Sequence, residues 1–177
     1  MKTTKILIAG FGGQGILFSG KALAFTGLKA DMEVSWLPSY GPEMRGGTAN
    51  CSVTLSDTPI GSPIVDKPDV LIAMNLPSLE KYYNETMPNG YVIYDSSLIV
   101  KEDVREDIKT IGIPATILAS DNGLDGLANM IIIGKVLKET NVLTLKQVVD
   151  SLTLMVPAKK AQLLENNIKA IELGYNY

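Results

Sequence analysis

The residues whose types and spacing could do chemistry stand near the amino end, in Gly10-Phe11-Gly12-Gly13-Gln14-Gly15, where Gly10, Gly12 and Gly15 keep a G-x-G-x-x-G spacing. Glycines so placed let the backbone turn tightly and approach a ligand. Unpaired N–H groups at the start of a following helix attract phosphate or carboxylate. The same spacing also serves a plain strand-to-helix turn with no ligand. A second unusual stretch is Ser39-Tyr40-Gly41-Pro42-Glu43-Met44-Arg45-Gly46-Gly47, a loop by its Gly-Pro and Gly-Gly punctuation. Arg45, between Glu43 and Gly46-Gly47, suits a two-pronged grip on phosphate or carboxylate. An ion pair with Glu43 or with a partner would use the same guanidinium. The candidate ligand-binding residues are thus Gly10, Phe11, Gly12, Gly13, Gln14, Gly15, Ser39, Tyr40, Glu43, Arg45, Gly46 and Gly47, with none assigned a catalytic role.

Much other chemistry is excluded by what the chain lacks. There is no histidine, so Ser-His-Asp catalysis and histidine-based metal sites are impossible. A single cysteine rules out an internal disulfide framework, a zinc site of several thiolates and an iron-sulfur cluster held by this chain alone. Cys51 itself falls on the apolar side of its strand with no basic neighbour, and reads as structural. No Gly-Lys-Ser/Thr follows the glycines, which disfavours a P-loop. A dinucleotide fingerprint wants an acid at the end of the second strand, but that strand ends Leu37-Pro38-Ser39-Tyr40, with Asp31 and Glu33 at its beginning. The net charge of −3 comes from scattered groups and leaves no electrostatic footprint for nucleic acid. No apolar run approaches the roughly 20 residues that span a bilayer. The first strand follows Met1 to Lys5 directly, with no signal-peptide pattern, so the cytoplasm is the expected location.

The elements that must position these residues alternate. Lys5 to Ala9 reads as a buried strand, Ile16 to Leu28 as a helix, and Met32 to Leu37 as a strand ending at Pro38. These form one strand-helix-strand unit. Ala49 to Leu55 alternates with period two, an antiparallel excursion around residues 47–65 with Ile60 to Ile64 as a short return segment. Asp69 to Met74 is a central parallel strand, Pro77 opens a helix, and Tyr91 to Tyr94 is another strand closed by Asp95-Ser96-Ser97. Residues 98–109 read as a charged surface turn with a helical piece, before a last strand over Thr110 to Ile113. Leu127 to Leu137 is apolar nearly all round and should be a buried helix in which Gly134 permits close packing. Thr144 to Gln147 is a capping box, and Pro157 starts a final helix ended by Gly174.

This pattern predicts one α/β domain over residues 1–177, an open Rossmann-like, mostly parallel sheet with helices on both faces. Ligands of such sheets bind beyond the carboxyl ends of strands. Gly10 to Gly15, Ser39 to Gly47, Asn75 and Asp95 to Ser97 should therefore converge. Tyr82, Tyr83, Tyr175 and Tyr177 are candidate partner anchors, although half-buried tyrosines are ordinary.

Together, Gly10-Phe11-Gly12-Gly13-Gln14-Gly15 and Ser39-Tyr40-Gly41-Pro42-Glu43-Met44-Arg45-Gly46-Gly47 carry a family resemblance over essentially the whole chain. The sequence resembles the gamma subunit of 2-oxoacid:ferredoxin oxidoreductases, with its greatest likeness to the 2-oxoglutarate or 2-ketoisovalerate branch. The resemblance implies a share in coenzyme A-dependent oxidative decarboxylation of a 2-oxoacid. It further implies thiamine diphosphate and iron-sulfur clusters in partner subunits, alpha, beta and in some members delta, with ferredoxin as acceptor. Coenzyme A is the candidate ligand of this chain, which should be inactive alone. A purely structural subunit, the small subunit of an indolepyruvate oxidoreductase, and a free-standing nucleotide-dependent oxidoreductase are the rival readings. No nucleic-acid or membrane partner is implied.

Overall fold

A computed structural model of the chain describes residues 2–41 and 48–177. Six strands form one sheet in the order β2-β3-β1-β4-β5-β6. They are β1 (Thr3–Phe11), β2 (Glu33–Tyr40), β3 (Thr48–Ser56), β4 (Val70–Ala73), β5 (Tyr91–Asp95) and β6 (Lys109–Ile113). β1, β4, β5 and β6 pair in parallel, while β3 runs antiparallel to both its neighbours. The open, mostly parallel sheet with a local antiparallel excursion is as expected. The excursion itself is β3 alone, since Ile60 to Ile64 forms no strand. Pro59 just before that stretch and Pro63 within it withdraw N–H donors that a ladder needs.

The first strand-helix-strand unit differs from expectation. β3 sits between β1 and β2, pairing Gly10 with Ala49 on one side and Tyr40 with Ala49 on the other. β2 is therefore an edge strand, and it continues through Pro38 to Tyr40 instead of stopping there. An edge strand tolerates proline because one side of its backbone needs no donor.

Among the described residues, six α-helices accompany the sheet: α1 (Ile16–Lys29), α2 (Leu76–Tyr82), α3 (Ala115–Asp121), α4 (Ala128–Thr140), α5 (Leu145–Met155) and α6 (Ala161–Asn176). Alternation along the strands feeds two unequal cores. Ile6, Ile8, Cys51, Val53, Leu55, Val70, Ile72 and Ile93 face a large core closed by α1 and by α3 to α6. Leu7, Leu71, Ala73 and Val92 face a small one, closed by Leu79 and Tyr83 at α2 with Val65, Ile99 and Ile108 from connecting segments. Helices thus lie on both faces, but the second is covered mainly by one helix and irregular chain. Residues 98–108 contain no helical piece.

α4 is buried because it lies inside the thick layer. Met130, Ile131, Ile132, Ile133 and Val136 are all fully buried. α4 packs on β5 and against α6. Removing side chains of that size from water stabilises by about 1.5–3 kcal/mol each. Close approach of α4 and α6 depends on Gly134 and Gly174, where a Cβ would overlap the Ile171 and Ile131 carbonyls respectively. Gly174 is therefore inside α6, which runs on to Asn176, and is a packing residue where a helix stop had been expected. The Thr144 capping box forms as read, with the Gln147 N–H donating to Thr144 Oγ1 (3.2 Å) and the Thr144 N–H to Gln147 Oε1 (2.8 Å). No helix among the described residues is long and apolar enough to cross a membrane.

Candidate ligand site at the glycine turn

β1 is central and consecutively buried from Ile6 to Ala9, and it delivers the glycine turn to the carboxyl end of the sheet. There β2 ends at Tyr40, β3 begins at Thr48, and β4 ends at Ala73. The Gly41 N–H donates to the Thr48 carbonyl (2.9 Å), and Thr48 pairs with Phe11. Glu43, Arg45, Gly46 and Gly47 lie outside the described residues, but both residues that bracket the segment are thus anchored beside the turn.

Gln14 acts as a strut. Its Oε1 accepts from the Phe11 N–H (2.7 Å) and its Nε2 donates to the Met74 carbonyl (2.9 Å), tying the turn to the end of β4. Both ends of its amide are committed, so it shapes the site from within. Gly15 caps α1 with φ +74°, a left-handed conformation that side chains resist. The first bond of the helix is made by the Ser19 N–H to the Gly15 carbonyl (3.0 Å). The N–H groups of Ile16, Leu17 and Phe18 precede it, no side chain caps them, and no acidic residue lies in the first turn. Their partial positive charge suits an anion.

A residue missed by sequence reasoning completes the turn. Asn129, the second residue of α4, donates from Nδ2 to the Gly15 carbonyl (3.2 Å) and to Ser19 Oγ (3.0 Å). Its Oδ1 is buried without a partner. The available signal was a polar residue at the head of an apolar helical run.

Two cavities flank the turn. One, of about 290 Å³, is walled by Phe11, Phe18 and Tyr40 with Gly12, Gly13, Gly15, Ile16, Leu17 and Ala49. The other, of about 310 Å³, is lined by Gly13, Gln14, Met74, Thr116, Ala119, Ser120, Asp125, Gly126, Ala128 and Asn129. Tyr40 therefore lies beside the turn. Ser39 does not, because successive residues of a strand face opposite sides and neither cavity includes it.

The other expected members are structural. Asn75 caps α2, its Oδ1 accepting from the Ser78 N–H (2.8 Å), and lines neither cavity. Asp95 is fully buried and accepts from the Ser97 N–H (3.0 Å) and from the Thr116 N–H and hydroxyl. It thereby holds the start of α3, a helix the sequence did not disclose. Tyr83 is buried, its hydroxyl bonded to Thr110 Oγ1 (2.9 Å) and to the Arg105 N–H (3.0 Å), so it is no exposed anchor.

A larger groove of about 670 Å³ lies between α2 and residues 100–105. Its Arg105 guanidinium is already engaged by Asp107 and by the carbonyls of Tyr83, Asn84 and Thr86. Its other cation, Lys101, lies over the Tyr83 ring (4.5 Å to the centroid), and Glu80, Glu102 and Asp103 share the lining, which argues against the larger groove as an anion site. Cys51 is also unreactive by environment. Burial pushes its thiol up to about 11, against a weaker opposing effect from the Trp36 Nε1–H, which donates to Sγ (2.9 Å).

Residues 5–177 match the family model described as pyruvate ferredoxin/flavodoxin oxidoreductase. The chain is 33% identical to 2-oxoglutarate synthase subunit KorC of Methanocaldococcus jannaschii, over 97% of this chain and 91% of that one. It is 41% identical to ketoisovalerate oxidoreductase subunit VorA of Methanothermobacter marburgensis over 75% of its own length, but spans only 28% of VorA. A solved structure of 2-oxoglutarate:ferredoxin oxidoreductase from Magnetococcus marinus, with 2-oxoglutarate, coenzyme A and succinyl-CoA bound, superposes with a TM-score of 0.89 at 25% identity. The superposition covers 99% of this chain and 31% of that one. The family resemblance drawn from the two glycine-containing motifs therefore stands, and this chain belongs to the pyruvate ferredoxin/flavodoxin oxidoreductase family.

Proposed function

We propose that the chain is a gamma-type subunit of a cytoplasmic, multi-subunit 2-oxoacid:ferredoxin oxidoreductase, and that it contributes a coenzyme A site and assembly contacts. The overall reaction converts a 2-oxoacid, coenzyme A and two oxidised ferredoxins to acyl-CoA, carbon dioxide and two reduced ferredoxins, with release of a proton. Decarboxylation and electron transfer call for thiamine diphosphate and iron-sulfur clusters, which we assign to alpha, beta and, where present, delta subunits. This chain's single cysteine is buried and it has no histidine, so its residues do not fit a cluster.

The observation that carries the coenzyme A role is the uncapped amino end of α1 beside an aromatic-walled cavity, at the carboxyl end of a mostly parallel sheet. Phosphate groups are held by the α1 N–H groups and by Arg45, Gly46 and Gly47, reached from the anchored ends Gly41 and Thr48. Positioning the coenzyme in this way raises the effective concentration of its thiol at the acyl acceptor step. The assembly role is supported by exposed apolar side chains, among them Ile64, Leu76, Leu98, Val100 and Val104, around the thinly covered face.

The test is co-purification from the native cell, followed by an assay of coenzyme A-dependent ferredoxin reduction with a panel of 2-oxoacids. The expected result is activity with 2-oxoglutarate or 2-ketoisovalerate that vanishes when coenzyme A is omitted. Activity with aryl pyruvates alone would replace this reading with an indolepyruvate enzyme. In the assembled complex, Arg45→Ala raises the KM for coenzyme A, and an unchanged KM and turnover would remove Arg45 from the site.

A further inference from the structure

We propose that the glycine turn is a ridge between two subsites occupied by the two ends of one coenzyme A molecule. The adenine ring and phosphates lie on the side of Phe11, Phe18 and Tyr40, and the amide-bearing pantetheine arm on the side of Ser120, Asp125 and Asn129. The proposal rests on the coenzyme A reading above and adds to it the direction in which the ligand lies.

Gly13 lines both cavities, is exposed, and has φ +101° with nothing within 4 Å of where a Cβ would be. The positive φ is enough to select glycine there, and the open volume above it leaves room for a chain of atoms to cross the ridge. Each cavity, about 290 and 310 Å³, is at the small end for a ligand site and holds a ring or a short chain but not a whole coenzyme.

The chemistry of the two sides sets the direction. The first side has three partly exposed aromatic rings, Phe11, Phe18 and Tyr40, and the uncapped α1 N–H groups. Flat rings stack on aromatic side chains, and phosphates seek a helix amino end. The second side has no lysine or arginine among its lining residues and does have the Asp125 carboxylate, which repels phosphate. Among the described residues it also has an unpartnered buried acceptor, Asn129 Oδ1, on a residue that is 5% exposed. An unmade hydrogen bond at a buried acceptor is costly, and an amide N–H satisfies it. Pantetheine supplies two amides and no charge.

The experiment measures equilibrium binding of coenzyme A and of 3′,5′-ADP, which lacks the arm, to the complex assembled around the full chain. Phe18→Ala should weaken both ligands about tenfold, the loss expected for one stacking partner. Ser120→Trp, which fills the second cavity from an exposed position, should weaken coenzyme A about tenfold and spare 3′,5′-ADP. Ala128→Leu repeats the second test from α4 should Ser120→Trp fail to assemble. Coenzyme A binding that falls in Phe18→Ala but survives filling of the second cavity would overturn the two-subsite proposal while leaving the coenzyme A role intact. Loss of 3′,5′-ADP in Ser120→Trp would overturn the direction. A wild-type complex that binds neither ligand, or coenzyme A binding indifferent to both variants, would instead remove the coenzyme A reading of this turn.

Discussion

Where α4 crosses α6, a Cβ on Gly134 or Gly174 would overlap the backbone of the facing helix, whereas a Cβ on Gly13 would meet nothing within 4 Å. Both regions are conspicuous in the sequence for the same residue type, but they use its missing side chain in different ways. At the crossing the space is filled by protein, which lets α4 and α6 lie close and closes the thick layer. At the turn the space remains open at the carboxyl end of the sheet. The lesson is that a glycine's role is read from what would occupy the vacated volume. Gly15 belongs between the two cases, since it combines a positive φ with a Cβ position that would strike the Asn129 amide.

Substitutions should separate these roles in order of size. Gly174→Ala forces α6 from the Ile131 carbonyl and should cost about 3 kcal/mol, the upper range for overpacking, measured by urea denaturation. A loss below about 1 kcal/mol would show that the crossing yields easily and would blur the contrast. Gly15→Ala should cost about 2 kcal/mol, from backbone strain together with the displaced Asn129 amide. Thermal melting of the purified chain measures it. Gly13→Asn should cost about 1 kcal/mol from backbone strain at φ +101° alone, because no neighbour is displaced.

A pH titration tests the packed side of the comparison without mutation. The folded Cys51 thiol is pushed from 9.0 up to about 11 by burial between α1 and β3. The stability it contributes is fully present below pH 9 and is lost as pH rises through 11, because the unfolded thiol ionises first. The unfolding free energy should fall by an amount on the order of 1 kcal/mol between pH 8 and pH 10, read by urea denaturation. A Cys51→Ala chain should lack this component, and an identical pH profile in both chains would contradict it.

How much was legible in the sequence follows the same division between local and distant causes. β1, β4 and α4 announce themselves by unbroken apolar runs, and the α5 cap by Thr144 and Gln147, three residues apart. The lateral order of β2 and β3 was not legible, because it depends on a pairing of Ala49 with Gly10 across 39 positions of chain. α3 was missed because Ala115 to Asp121 is short and its anchor is Asp95, on another strand. Within the candidate site, the glycine turn and Tyr40 could be named from sequence. The strut role of Gln14 and the support from Asn129 could not, since their partners lie 60 and 114 residues away. Gly174 was misread for a related reason: a glycine near the end of a helical pattern looks like a stop until the facing helix is seen.

The central claim, that the open glycine turn holds a phosphorylated coenzyme, is tested most directly by comparing Gly13→Asp with Gly13→Asn in the assembled complex. The two side chains match in shape and meet the same backbone strain at φ +101°, and differ in charge. The account predicts that Gly13→Asp raises the KM for coenzyme A by about tenfold over Gly13→Asn, with equal melting temperatures and unchanged KM for the 2-oxoacid. Equal coenzyme A KM values for the two variants, both matching the wild type, would contradict it.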